Sequence, residues 1–154
     1  MNEHTFLKLM LNYRHQQINQ FFANLPNENR IHTFFYTIPF PLVFCEDGFA
    51  MSVQANEYVF CKPRASLAFW NAFEIDYLTE VEPLLLKGNW IEDRNQPMRS
   101  TYAFVPIKVI TNIIKKHGGL EKKNSFSNPE KVFAYSEDIL KMDRKNLGIS
   151  GDNP

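Results

Sequence analysis

Residues 41–64 read PLVFCEDGFAMSVQANEYVFCKPR, and this stretch decides the fold. Two apolar runs, residues 42–45 and 49–55, flank the triplet Glu46-Asp47-Gly48. Asp-Gly is a strong hairpin signal, because the tight turn needs a positive φ that glycine adopts without a Cβ clash. In the second run apolar residues alternate with small or polar ones, as in a strand covered on one face. The stretch therefore predicts a β-hairpin.

Further strands are predicted on both sides of this hairpin. Runs rich in β-branched and aromatic residues, bounded by turn-forming residues, indicate β-structure. Such runs occur at residues 31–38, 57–61, 68–78 and 101–105. Pro39 and Pro41 end the first of them, since proline cannot donate to a sheet ladder.

Helices are predicted where apolar residues recur at three- and four-residue steps. They cover residues 5–25, 79–86, 106–117 and 136–146. Thr5 is the expected N-cap of the first helix, and Thr79 of the second, where Glu82 completes a capping-box spacing. Gly118 and Gly119 follow the third helix as a C-cap.

These elements predict an α+β protein. We expect a mostly antiparallel sheet of four or five strands, with two main helices on one face and a small C-terminal helical appendage. The length of 154 residues fits one domain. Within it, residues 1–40 form an N-terminal helix-and-strand extension, residues 41–119 a core, and residues 120–154 the appendage.

Composition narrows the function classes. Seventeen basic and seventeen acidic residues cancel, which counts against free nucleic acid as the principal ligand, because such proteins carry a net basic footprint. No run is long and apolar enough for a transmembrane helix, and no signal peptide is visible. We therefore expect a cytoplasmic protein whose Cys45 and Cys61 stay reduced.

Three blocks within residues 42–119 resemble a family of small, uncharacterised proteins encoded in phages and prophages. The blocks are CEDGFAMSVQA, YVFCKPR and YAFVPIKVITNIIKKHGG. The resemblance implies no activity and no site residues. It implies a context, since small accessory phage proteins often act on host machinery, and anti-CRISPR proteins block defence complexes by binding them. Family does not by itself determine function.

Catalytic and metal-binding signatures are weak in this sequence. Cys45, Cys61, His32 and His117 suggest a zinc site only loosely, because close ligand pairs such as C-x2-C are missing. A pair of Cys45 or Cys61 with His117, oriented by Asp47, is also formally possible, and Cys61, next to Lys62 and Arg64, is the better candidate for the nucleophile. Buried cysteine is the commoner explanation. We predict no catalytic residues, no metal and no cofactor.

A partner-binding platform is the favoured hypothesis, because tryptophan, tyrosine and arginine dominate interface hot spots. An internal network, in which Arg64 pairs with Asp47 or Glu57, is the competing explanation for the polar members. The predicted partner-binding residues are Asp47, Gln54, Tyr58, Arg64, Trp70, Trp90, Arg94 and Arg99.

The sequence therefore predicts a stoichiometric binding protein. It would inhibit or modulate a host protein or ribonucleoprotein complex, with a CRISPR–Cas defence complex as the best candidate. Two alternatives remain open at this point: a small enzyme that uses Cys61 or Asp47 in a cleft, and a nucleic-acid binder with a local basic patch.

Overall fold

The computed structural model describes residues 1–24 and 39–122, without the side chains of residues 20–24. In these ranges helices occur near both ends and strands lie between them. In chain order the elements are α1 (Glu3–Asn24), β1 (Val43–Phe44), β2 (Ala50–Gln54), β3 (Ala72–Asp76), α2 (Pro83–Leu86), β4 (Tyr102–Pro106) and α3 (Ile107–Lys116).

The four strands form one antiparallel sheet in the order β1-β2-β3-β4. The predicted α+β class and the antiparallel sheet are therefore confirmed, with four strands in the described residues. Met51 lies opposite Val43, and Val53 lies opposite Ile75. Directly opposed residues share a sheet face, and all four side chains are fully buried. They form the core side of the sheet.

Helix α1 packs on this core through aromatic side chains. The Phe6 ring meets the Phe73 ring of β3 edge-to-face, with centroids 5.7 Å apart, and α1 also contacts α3. Thr5 is not the N-cap, because its N–H donates to the side-chain oxygen of Asn2 at 2.8 Å. An N-cap asparagine satisfies one of the amides left free in a first helical turn, so the helix begins earlier than predicted.

The predicted hairpin is confirmed at residues 43–54. Gly48 has a φ of 94°, the left-handed conformation that the turn requires. Its N–H donates to the carbonyl of Cys45 at 3.0 Å, and the Cys45 N–H donates to the carbonyl of Phe49 at 2.8 Å. Asp47 Oδ1 accepts the Phe49 N–H at 2.9 Å, an Asx contact that closes the turn.

The prediction of a strand at residues 57–61 is wrong. The side-chain oxygen of Asn56 accepts the N–H groups of Tyr58 and Val59, so the chain turns instead of extending. The strand predicted at residues 68–78 is shortened to β3, which ends before Tyr77, a residue with a φ of 53°. A turn-capping side chain and a left-handed residue therefore overrule the local strand preference.

The predicted cap of α2 is wrong, and the predicted glycine cap of α3 is confirmed. Glu82, not Thr79, caps α2, and it accepts the Leu84 N–H at 2.8 Å. The Thr79 hydroxyl instead accepts the Ala50 N–H at 2.9 Å. The glycine cap after α3 is present, since both residues 118 and 119 have a φ near 90°.

Some predicted elements lie outside the described residues. These are the strand at residues 31–38, the helix at residues 136–146 and nearly all of the C-terminal appendage. Among the helices that are described, none combines the length and the apolar character needed to cross a membrane.

Replacing Gly48 with valine should destabilise the protein by about 1–3 kcal/mol, because a β-branched residue is strained at positive φ. The cost is conformational, since an added Cβ would meet no atom within 4 Å. Urea denaturation measures it. Gly48→Asn is the matched control and should cost much less, because asparagine tolerates the left-handed region. Equal losses for both variants would contradict this explanation.

Candidate partner-binding loop

Exposed apolar side chains concentrate in one loop of the described chain. Tyr58 is 65% exposed and Phe69 is 80% exposed, and Phe60 and Leu67 are also exposed. We call residues 57–69 the aromatic loop. Isolated exposed apolar residues are normal, whereas several on one segment are typical of a surface that contacts a partner.

Backbone hydrogen bonds attach the aromatic loop to the start of β3. The Lys62 N–H donates to the carbonyl of Ala72 at 2.9 Å, and the Asn71 N–H donates to the carbonyl of Lys62 at 2.9 Å. These bonds tie the middle of the loop to the start of β3. The Lys62–Pro63 peptide is cis. The backbone that carries the exposed side chains is therefore held to β3 by hydrogen bonds.

A buried arginine of α1 supports the loop from the protein interior. Arg14 Nη1 donates to the carbonyl of Ser66 at 2.8 Å, and Nη2 donates to the carbonyl of Ala55 at 2.9 Å. Its guanidinium lies 4.3 Å from the ring centroid of Phe40 and 5.9 Å from that of Trp70. Burial lowers the pKa of Arg14 to about 10, so the group stays charged at neutral pH. Arg14 thus links α1 to the aromatic loop at Ser66 and to the chain just before the loop at Ala55.

Trp70 is a support of the loop and not a contact residue. It is 1% exposed, and its indole N–H donates to the carbonyl of Ala65 at 3.0 Å. Its ring also packs against Phe40 and Phe73. The prediction that Trp70 binds a partner is therefore wrong, because its apolar area is already used inside the protein.

Gln54 is likewise internal. Its side-chain oxygen accepts the Phe40 N–H at 2.7 Å, and its amide nitrogen donates to the Phe40 carbonyl and to Ser52 Oγ at 2.9 Å. The alternation of β2 predicts a solvent-facing polar side, but both sides of the strand are buried. Gln54 therefore satisfies the backbone of the proline-flanked segment, and its prediction as a partner contact is wrong.

Cys61 is buried inside the loop. Its Sγ donates toward the carbonyls of Asn56 and Pro63, at 3.2 and 3.4 Å. Burial raises the pKa of the thiol, which disfavours the thiolate that a nucleophile needs. Burial also raises the pKa of Cys45, to about 12. These environments give both cysteines the character of packed, unreactive residues.

Two exposed cations and two phenylalanine rings adjoin one another at the loop. Arg64 Cζ lies 5.3 Å from the ring centroid of Phe60, and Lys62 Nζ lies 5.3 Å from that of Phe104. The two rings contact each other, with centroids 5.9 Å apart. Arg64 Nε donates to the carbonyl of Val59 at 2.9 Å. The loop therefore combines aromatic area with positive charge.

Trp90 and the aromatic loop bond successive residues of β4, so Trp90 lies close to the loop. Its carbonyl accepts the Ala103 N–H at 2.9 Å, while the Phe60 carbonyl accepts the N–H of the next residue, Phe104, at 3.0 Å. Trp90 is half-buried. Of the predicted partner-binding residues, the structure therefore brings Tyr58 and Arg64 together on the loop and places Trp90 beside it.

Arg94 and Arg99 are placed elsewhere. The two Nη nitrogens of Arg94 donate to the carbonyls of Leu86 and Gly88, at 3.2 and 2.8 Å, so this side chain holds the segment after α2. Arg99 lines a shallow depression together with Val81 and Met98. Neither arginine has a described contact with the aromatic loop.

Asp47 belongs to a separate charged cluster around His117. His117 Nδ1 lies 2.6 Å from Asp47 Oδ2, and Nε2 lies 2.7 Å from Glu82 Oε1. Lys116 Nζ lies 2.9 Å from both oxygens of Glu82. Phe49 stacks on the imidazole with centroids 4.1 Å apart. The cluster connects the hairpin turn, the α2 cap and the end of α3, and we call it the imidazole clamp.

The imidazole clamp favours a positively charged histidine. Burial alone would lower the pKa of His117, but the hydrogen bonds to Glu82 and Asp47, together with their charges, outweigh it and raise the pKa. The Phe49 N–H and His117 lower the pKa of Asp47. Burial opposes ionisation of Glu82, yet the Leu84 N–H, Lys116 and His117 leave its pKa lowered. Asp47 is therefore a structural partner of His117 and not of Arg64.

The clamp also bears on metal binding. Within the described residues, ligand atoms of Asp47, Glu80 and His117 lie within 4.8 Å of one another. Both nitrogens of His117 already bond carboxylates, and a metal would have to displace a proton to bind either one. That group contains neither Cys45 nor Cys61, so the cysteines and His117 do not assemble the zinc site considered from the sequence. His32 lies outside the described residues.

Sequence reasoning missed Phe60, Leu67 and Phe69 as exposed loop residues. Phe60 and Phe69 fall within the two predicted strands at residues 57–61 and 68–78, which would bury alternate side chains, and Leu67 lies between those strands. The turn-forming residues Asn56 and Pro63 were the signal that could have found the loop.

Comparison with protein-family models, with curated proteins and with solved structures finds no match for this chain. The geometry described above is therefore the basis on which a function can be proposed.

Arg14→Ala should destabilise the protein by about 3 kcal/mol, because the buried carbonyl of Ala55 and the partly buried carbonyl of Ser66 lose their donors. It should also speed amide hydrogen exchange within residues 57–69, since the loop loses its internal support. His15→Ala, an exposed position on the same helix, is the control and should leave both quantities unchanged. Exchange in the loop that stays at the wild-type rate would show that Arg14 does not support it.

The imidazole clamp should make stability depend on pH. Because folding raises the pKa of His117, its stabilising contribution is complete below the unfolded value of about 6.5. That contribution is lost as the pH rises through the folded pKa. Urea denaturation between about pH 6 and 9 should show the free energy of unfolding falling in the wild type.

His117→Gln should flatten that dependence, because glutamine carries no titrating proton. The exposed residue His15 provides a matched control, and His15→Gln should retain the wild-type decline. A decline of the same size in His117→Gln would assign the pH dependence to other groups.

Proposed function

We propose that this protein acts by stoichiometric binding to a protein partner and that the aromatic loop is its binding surface. The observation that carries the proposal is the concentration of exposed aromatic and apolar side chains on this loop. Exposed aromatic residues with arginine beside them are the composition of interface hot spots.

Preorganisation of the loop supports the same proposal. Arg14 and Trp70 donate hydrogen bonds to the loop carbonyls of Ser66 and Ala65 from inside, and Asn56 caps its first turn. A loop that is already held in one conformation loses less entropy when it binds. The buried side chains that hold the loop backbone thus lower the entropic cost of binding through the exposed side chains.

The chemistry of the titratable groups favours occupancy over turnover. Cys61 is buried and its pKa is raised, and both ring nitrogens of His117 bond carboxylates. A general base needs a free nitrogen lone pair, and a cysteine nucleophile needs an accessible thiolate. These features weigh against the alternative of a small enzyme built on Cys61 or Asp47.

As partner we propose a host protein or ribonucleoprotein complex, with CRISPR–Cas defence machinery as a candidate. This part of the proposal rests on the resemblance of residues 42–119 to phage-encoded proteins. The aromatic loop is evidence for binding to a partner but not for the partner's identity. Inhibition would follow because the bound protein occupies the partner's surface.

Phe69→Ala should weaken partner binding by at least about 2 kcal/mol, as expected for a hot-spot aromatic. It should change the free energy of unfolding by less than about 1 kcal/mol, because the ring is 80% exposed. The partner is first captured from a bacterial host lysate by the tagged wild-type protein. Its affinity for the wild type and for Phe69→Ala is then measured by titration, and the stability of each protein is measured by thermal melting.

Met98→Ala provides the control, because Met98 is also an exposed apolar residue but lies outside the loop. It should bind like the wild type. Unchanged binding by Phe69→Ala would remove the loop from the interface. Inhibition at far less than one protein per partner molecule, with a covalent change in the partner, would contradict action by occupancy.

A further inference from the structure

The charges of the aromatic loop indicate what its partner must offer. Within the aromatic loop the sequence carries two basic residues, Lys62 and Arg64, and one acidic residue, Glu57, at its first position. The whole chain has no net charge, so this positive charge is a local feature. Both cations are exposed, and neither has an ion-pair partner among the described residues.

Arg64 is oriented for recognition. Its Nε donates to the carbonyl of Val59 at 2.9 Å, and its guanidinium lies against Phe60. These contacts hold the planar group in place. Its two Nη nitrogens make no hydrogen bond within the described part of the chain. A fixed guanidinium fork with free donors binds a carboxylate through two parallel hydrogen bonds.

Aromatic rings lie beside these cations, and one carboxylate is near them, since Glu74 Oε1 accepts the Phe60 N–H at 3.4 Å. The contacting rings of Phe60 and Phe104 lie beneath the two cationic groups, and Phe69 projects from the same loop with most of its surface exposed. A complementary segment would therefore carry a carboxylate beside apolar or aromatic side chains. The carboxylate would meet the cations and its neighbours would cover the rings.

A protein carboxylate fits this site better than a nucleic-acid backbone. Binding to a phosphate chain draws its affinity from several cations that neutralise successive phosphates. The loop presents only two between residues 58 and 69, on a chain without net positive charge. Bidentate pairing to one or two carboxylates needs no extended basic track.

We propose that the aromatic loop recognises a linear protein segment in which an aspartate or glutamate adjoins apolar residues, with Arg64 pairing to the carboxylate. The proposal rests on the proposed function, in which this loop is the binding surface. It adds the chemical class of the partner.

Selection of displayed random linear peptides against the full-length protein tests this directly. Peptides that bind should be enriched in aspartate or glutamate next to aromatic or aliphatic residues. Arg64→Gln should weaken a selected peptide by at least about tenfold, as loss of a bidentate charged contact predicts. Changing the peptide's acidic residue to its amide should have the same effect. Ionic strength of about 1 M should weaken the wild-type complex as well.

Arg99→Gln is the matched control, because it removes an exposed arginine outside the loop. It should leave peptide binding unchanged. The proposal is overturned if no peptide is enriched, if acidic residues are not enriched, or if Arg64→Gln binds as well as the wild type. Tighter binding of single-stranded oligothymidylate than of any selected peptide would identify the ligand as nucleic acid and overturn it too.

Capture of the natural partner separates the two levels of the proposal. If Phe69→Ala abolishes capture and Arg64→Gln does not, the loop binds its partner without the carboxylate contact and only this inference fails. If neither variant changes capture, the proposed function itself fails.

Discussion

The contacts of Arg14 are the constraint on which the candidate site depends. A charged guanidinium is costly to bury, and this one is almost fully buried. It is compensated by carbonyls of Ala55 and Ser66 and by the ring of Phe40. No carboxylate of the described residues pairs with it, so backbone carbonyls supply the compensating oxygens, one in the loop at Ser66 and one just before it at Ala55. The position of α1 and the conformation of the aromatic loop are therefore energetically coupled through one side chain.

This coupling explains how a loop with so much exposed apolar surface stays ordered. Its exposed side chains contribute little to folding, because they bury little area. The stabilising contacts come from residues beneath it, in particular the indole N–H of Trp70 and the side chain of Asn56. The supporting side chains thus flank the loop or lie on α1, while the exposed side chains lie within the loop. Such a division lets exposed residues be optimised for binding without loss of the fold.

The imidazole clamp performs a comparable task at another part of the sheet. It joins three segments that are distant in sequence: the hairpin turn at Asp47, the α2 cap at Glu82 and the end of α3 at His117. The carboxylates favour the protonated form of His117, so neither ring nitrogen is free to act as a general base or to bind a metal. A histidine between two carboxylates is also found in catalytic sites, but in this protein the hydrogen bonds on both nitrogens make it a structural link.

The sequence by itself determined the α+β class, the helix α1, the hairpin around Gly48 and the helix α3. Each of these follows from local rules, since periodicity, a positive-φ glycine and a glycine cap act within a few residues. It also singled out Tyr58 and Arg64. Only the tertiary structure decided the exposure of Phe69 and the burial of Trp70 and Gln54. Strand parity cannot show which faces are covered, because that depends on distant segments such as α1 and the chain around Phe40.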